Sequence, residues 1–191
     1  MSSTAETAVI ENDSRYYIRE ATVEDLPAAR SVMLDTAYRD FGYGYLPRWH
    51  DDIIDPAAYY LEPEDHCLLV AETEKGEIVG TAGVRKATPA SPPHPREAVD
   101  RFEEGRTATL YRVYVRPEWR RRGMAGALVR ECLEFVATRD VYTGVYLHTD
   151  ARVPGAVPFW ERYGELVCDE RDPNLSAEEF QTAHFALAIP R

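Results

Sequence analysis

The chain has 191 residues, 45% of them hydrophobic and 29% charged, which is enough for one real core and makes a two-domain reading unattractive. Its 33 acidic and 22 basic side chains give a formal charge of -11, so it lacks the broad positive surface that general nucleic-acid or anionic-membrane binding needs. Cys67, Cys132 and Cys168 match neither a disulfide framework nor a zinc pattern, and the expected setting is reducing and cytoplasmic, with no metal site.

Residues 1–15 are polar and acidic and read as a disordered lead-in, without the apolar segment of a secretory signal. No run of about 18 apolar residues marks a membrane-spanning helix. Residues 16–19 are short and β-prone. They run into Thr22-Val23-Glu24-Asp25, a threonine cap with early acids, after which apolar spacing at Leu26, Ala29, Val32 and Met33 predicts a helix. Residues 41–61 are aromatic and irregular, with Tyr43, Tyr45, Trp49, Tyr59 and Tyr60 among glycines, prolines and the pair Asp51-Asp52, and read as loops and short helices.

Residues 66–73 and 78–84 predict two strands joined by a turn at Lys75-Gly76, forming a hairpin. The proline-rich, charged stretch 88–106 has no periodicity and reads as a long mobile loop. Residues 107–115 alternate as a strand. Pro117 closes that strand before a helix to about Arg139, whose apolar positions are Met124, Leu128, Cys132 and Phe135. A strand at 145–149, a short helix at 154–163 and strands at 166–169 and 183–189 complete one mixed sheet.

The most informative stretch is 111–126, in which a strand is cut by proline, passes through Arg120-Arg121-Arg122 and enters a helix beside Gly123. The first N–H groups of a helix have no internal partner and carry partial positive charge, so this turn reads as an anion site. Glycine lets a ligand approach the main chain, and the arginines add charge-assisted bonds. A solvated arginine run is the plain alternative, because arginine is the usual cation of a chain with only Lys75 and Lys86 as lysines.

Arg120-Arg121-Arg122-Gly123-Met124-Ala125 resembles the Gln/Arg-x-x-Gly-x-Gly/Ala acetyl-CoA signature of the GNAT superfamily of N-acetyltransferases, preceded by its strand and by Val115-x-Pro117. The order of elements is similar over residues 16–189. The resemblance implies an α/β (α+β) fold in one domain over 16–191: a central mixed, mostly antiparallel sheet of six to seven strands flanked by about four helices. It implies acetyl-CoA as cosubstrate, with pantetheine lying between the strand ends at Val115 and Thr149, which splay apart. Main-chain groups of Val113, Tyr114 and Val115 would bond the pantetheine and polarise the thioester, and Arg120, Arg121, Arg122, Gly123, Met124 and Ala125 would hold the pyrophosphate.

An amine near pKa ~10.4 must lose a proton before it attacks. The family's base position on the later strand is taken here by His148, and an imidazole titrates near ~6.5, which suits the task; a structural histidine is the alternative. Thr109 stands where other members carry a glutamate, leaving Glu103 and Glu104 as reserves, and Asp150 could orient His148. Trp160 replaces the tyrosine that commonly protonates the leaving thiolate; it could hydrogen-bond the sulfur or pack on pantetheine, and Tyr163 is the substitute acid. Val153 stands where the family has asparagine.

By the same resemblance, 41–60 and 88–106 line the acceptor side, where aromatics with Asp51 and Asp52 would suit an amine-bearing small molecule; Tyr43, Tyr45, Trp49, Tyr59 and Tyr60 as packing residues under a loop are the plain alternative. The expected partners are acetyl-CoA and that amine, joined by direct attack in a ternary complex, and a homodimer is open. The alternatives are a non-catalytic acyl-CoA-binding relative and, far behind, a nucleic-acid module.

Overall fold

The computed structural model describes residues 7–9, 15–42, 44–47, 49–174 and 181–190. In chain order its elements begin with β1 (Thr7–Val9), β2 (Tyr16–Glu20), a 3-10 turn (Val23–Asp25), α1 (Leu26–Arg39), α2 (Asp51–Ile54) and a π-helical turn (Ala57–Leu61). There follow β3 (Cys67–Thr73), β4 (Ile78–Lys86), α3 (Arg96–Val99), β5 (Thr107–Val115), a second 3-10 turn (Pro117–Trp119) and α4 (Met124–Ala137). The last elements are β6 (Gly144–Asp150), α5 (Ala156–Trp160), β7 (Gly164–Asp169) and β8 (Thr182–Leu187). They fall into two compact units, Met1–Arg85 with Tyr111–Phe135, and Lys86–Leu110 with Val136–Arg191.

In the first unit β1, β2, β3 and β4 pair antiparallel in sequence order. The Arg19 guanidinium joins β2 to the helix start by donating to both oxygens of Asp25, at 2.6 and 2.8 Å, and Asp25 accepts the Thr22 N–H at 2.8 Å, capping the 3-10 turn that leads into α1. The expected stripe Leu26, Ala29, Val32 and Met33 is buried and packs with Ile53, Tyr60, Leu68 and Val70. Burial of each large member is worth about 1.5–3 kcal/mol, which holds α1 and the short α2 segment on the sheet. Thr7–Val9 corrects the reading of the lead-in. These three residues register on Tyr16–Ile18 as a strand, and main-chain pairing supplies what their composition does not.

Tyr60 is 1% exposed and lies directly over Gly83 of β4, where a Cβ would run into its ring. Because that ring is held at its hydroxyl by Asp52, it has no easy retreat. Gly83→Ala therefore destabilises the chain by about 1–3 kcal/mol, the range for overpacking, as a urea titration will show.

In the second unit β5 pairs parallel with β6 from Thr107↔Gly144 to Thr109↔Tyr146, β6 pairs antiparallel with β8, and β8 with β7. The strand pairing is thus mixed and mostly antiparallel as expected, with eight strands among the described residues. Helices α2 and α3, of four residues each, bring the α-helices among the described residues to five.

The stretch 88–106 differs from the featureless loop expected. It carries α3 with Ala98 fully buried, closes on itself through Thr88 Oγ1 to the Glu103 carbonyl at 3.2 Å, and ties Arg101 to Glu165 at 2.8 and 3.0 Å. Proline-rich sequence hides this because the chain is held by side chains and turns rather than by a repeating period. Among the described residues Cys67, Cys132 and Cys168 form no disulfide, and no helix is long and apolar enough to cross a membrane.

Candidate functional site

The first half of β5, Thr107–Leu110, is buried, whereas Tyr111, Arg112, Val113 and Tyr114 are half-buried. The change coincides with Arg112, which adopts φ 52°, a left-handed conformation that costs a side-chain-bearing residue roughly 1–2 kcal/mol. Both ends of the residue are pinned. Its carbonyl accepts the Thr81 hydroxyl at 2.8 Å, and its guanidinium donates to Asp52 at 2.6 and 2.9 Å and to the Trp49 carbonyl at 2.6 Å. Such a residue breaks the extended path of the strand and re-aims the main chain that follows, here Val113, Tyr114 and Val115.

Asp52 is 3% exposed and also accepts the Tyr60 hydroxyl at 2.5 Å. Burial works to raise its pKa, but the bonds and charge of Arg112, the Tyr60 hydroxyl and the charge of Arg85 outweigh burial and hold it below the usual carboxylate range. Tyr60 is pushed well up, first by its own burial and then by the neighbouring carboxylate. Asp52 is therefore not free to pair with an incoming amine, which corrects the role expected for it, whereas Asp51 is exposed. His50 is 2% exposed, its Nδ1 accepts the Leu46 N–H at 3.0 Å, and burial lowers its pKa.

Beyond β5, the turn into α4 alternates backbone hand: Arg121 has φ 61° and Gly123 φ 77°. Left-handed residues in a tight turn direct successive N–H groups toward one side, and the free N–H groups of the first helical turn continue the set. Arg121 and Gly123 are exposed, while Met124 is buried and anchors the helix. These features fit an anion held by main chain. The three arginines divide their work. Arg120 donates to the Val115 carbonyl at 2.8 Å and pairs with Asp40, so it braces the turn against β5 and α1. Arg122 rests over the Trp119 ring at 5.0 Å, and Arg121 is exposed.

In the second unit His148 is an exposed residue of β6 directly opposite His184 of β8. The Tyr146 hydroxyl lies 3.4 Å from His148 Nδ1 and 2.8 Å from His184 Nδ1, and His184 Nε2 lies 2.7 Å from a Glu170 carboxylate oxygen. The His94 ring stands 4.8 Å from that of His148; burial lowers its pKa, with His184 adding to the shift and Glu170 opposing it. A network of imidazoles, phenol and carboxylate thus surrounds the expected base. Sequence reading missed His94, Tyr146, His184 and Glu170: the β6–β8 register brings His184 beside Tyr146 and His148, the 88–106 stretch carries His94 against them, and Glu170 follows β7.

Asp150 does not orient His148. Its oxygens are occupied by Arg152, whose Nε and Nη2 donate at 2.9 and 2.6 Å. Thr109 gives its hydroxyl to the Ala87 carbonyl, and Glu103 accepts from Thr143 at 3.1 Å. Trp160 is buried edge-on to Phe159, with half-buried Tyr163 beside both rings. Among the described residues no group of three His, Cys, Asp or Glu could hold a metal ion.

Comparison with known proteins places these features in context. The model of the "Acetyltransferase (GNAT) family" matches residues 29–164. Human N-acetylaspartate synthetase is 31% identical over 115 residues, which are 60% of this chain and 32% of that protein, so the match spans about a third of the relative. A GNAT-family acetyltransferase from Staphylococcus aureus superposes with TM-score 0.67 at 14% identity, covering 91% of this chain and 99% of the other. A related N-acetyltransferase from Kribbella flavida gives TM-score 0.62 at 17% identity, covering 88% and 96%. At these identities the structures speak for the fold alone.

Proposed function

From the premise that this chain belongs to the acetyltransferase (GNAT) family, we propose that it transfers an acetyl group from acetyl-CoA to the primary amine of a small molecule. The observation that carries the reading is the turn at Arg121 and Gly123, with left-handed φ angles of 61° and 77° ahead of α4, and on its other side the end of β5 at Val113, Tyr114 and Val115, which follows the left-handed Arg112. In this reading the main-chain N–H groups of Arg121, Arg122, Gly123, Met124 and Ala125 hold the pyrophosphate, with Arg121 adding charge and Arg120 keeping the turn in shape. The main chain at Val113 and Val115 binds the pantetheine and stabilises the oxyanion that develops when the amine nitrogen attacks the thioester carbon. A small-molecule acceptor agrees with the name of the curated relatives, N-acetylaspartate synthetase.

As the C–N bond forms and the C–S bond breaks, one proton leaves the amine and one is taken up by the departing sulfur. We assign the first transfer to His148, which is exposed and continuous through Tyr146 with His184 and Glu170. The second falls to Tyr163, because Trp160 has no hydroxyl and an indole N–H is no acid near neutrality. Trp160 would pack against the pantetheine arm.

His148→Ala lowers kcat for amine-dependent CoA release by about 100-fold, the lower end of what a positioned base supplies, and leaves acetyl-CoA affinity unchanged. Steady-state kinetics beside a titration with acetyl-CoA checks this. An unchanged kcat removes His148 from the mechanism. The buried Trp160 in place of a hydroxyl keeps one second reading in view, a chain that binds acyl-CoA without turning it over, for which titration shows binding and no amine releases CoA.

A further inference from the structure

Arg85 lies at the end of β4, one residue past the strand end expected from sequence, with its guanidinium carbon 4.7 Å from the centre of the Tyr59 ring and 4.6 Å from that of Tyr111. Stacking on aromatic faces orients a guanidinium and leaves its edges for hydrogen bonding. Among the described residues its Nε is buried and has no hydrogen-bond partner. The carboxylate near enough to feel its charge, Asp52, already spends Oδ1 on Arg112 and Oδ2 on Arg112 and Tyr60. Two guanidinium groups thus face one carboxylate, and a positive charge is left over in a chain whose formal charge is -11.

A buried donor without a partner is costly, typically about 1–3 kcal/mol, and the N–H edge of a guanidinium held between two rings matches the two oxygens of a carboxylate. Tyr111, one of the two rings, precedes by two residues the β5 segment assigned to the thioester. We propose that Arg85, oriented by Tyr59 and Tyr111, recognises a carboxylate on the acceptor, so that the acetylated amine belongs to an amino acid or a similar small anionic molecule. The role in the acceptor rests on the transferase reading; the anion site itself does not.

The test compares L-aspartate, L-glutamate and glycine with ethanolamine, ethylamine and putrescine as acceptors, using the parent, Arg85→Gln and Arg85→Lys, by CoA release. Succinate, which has carboxylates but no amine, is titrated into the same three proteins, and thermal unfolding confirms that each is folded. The parent favours a carboxylate-bearing amine at least tenfold in kcat/KM. Arg85→Gln raises KM for that acceptor tenfold or more, leaves acetyl-CoA binding and turnover of the plain amines within twofold, and no longer binds succinate. Arg85→Lys recovers part of the loss.

Equal losses on both acceptor classes, a parent preference for plain amines, or succinate binding that is absent or independent of Arg85 overturns the proposal. Loss of acetyl-CoA binding by the parent would instead defeat the transferase reading, and succinate binding that still needs Arg85 would then keep the anion site.

Discussion

Replacing Asp52 with alanine lowers the stability of the chain by about 3–5 kcal/mol, the cost of removing one partner from a buried ion pair. The Asp52 side chain is 4% exposed and that of Arg112 14%, so solvent does not replace what the carboxylate supplied. Burial opposes the charge on Arg112, and Tyr114 and the Asp52 carboxylate overcome that opposition and hold its pKa above the ordinary value. With the carboxylate gone, the guanidinium keeps the Trp49 carbonyl as a partner, and the Tyr60 hydroxyl loses its acceptor in the core. For a chain of this size the loss amounts to roughly 6–20 °C in Tm.

The same change releases the residue whose left-handed conformation sets the course of β5 at Val113, so acetyl-CoA binding weakens as well. A cycle with Arg112→Ala separates the two contributions. The double variant loses less stability than the sum of the single ones, because it leaves no unpaired buried charge. Additive losses would show that Asp52 and Arg112 act independently and would remove the ion pair from the account.

Most of the architecture is legible from spacing. Leu26, Ala29, Val32 and Met33 on α1, and Met124, Leu128, Cys132 and Phe135 on α4, are buried as their periodicity requires, and β5 has the bounds that alternation gives it. Gly123 stands out in the sequence as the glycine between the arginine run and a helix, and it takes φ 77° there.

Other parts of the site are not legible, for physical reasons. Arg112 and Arg121 take positive φ although arginine carries no signal for that region, which asparagine, aspartate and glycine favour. Arg112 is not singled out by the sequence reading, which assigns phosphate to Arg120, Arg121 and Arg122, and its partner, Asp52, is 60 positions away. Arg85 sits beside Lys86 near a strand end, and what distinguishes it is the pair of rings over it and the partner its Nε lacks. Tertiary contacts decide these positions, and no window of sequence contains them.

Gly123→Glu lowers acetyl-CoA affinity at least 100-fold, about 2.7 kcal/mol or more. Two effects add. A side chain at φ 77° strains the turn by roughly 1–2 kcal/mol, and the new carboxylate stands among the N–H groups proposed for the pyrophosphate, which it would repel. Gly123→Ala carries the strain without the charge and gives the smaller loss. Val113→Ala and Val115→Ala leave affinity nearly unchanged, since their contribution runs through the main chain. A Gly123→Glu protein that is folded and binds acetyl-CoA like the parent would place the cofactor elsewhere.

The most direct measurement is isothermal titration of the parent with acetyl-CoA and with free CoA, followed on the same sample by thiol release as amines are added. The account predicts saturable binding of both at one site per chain and amine-dependent thiol release. A parent protein that binds neither acetyl-CoA nor CoA contradicts it.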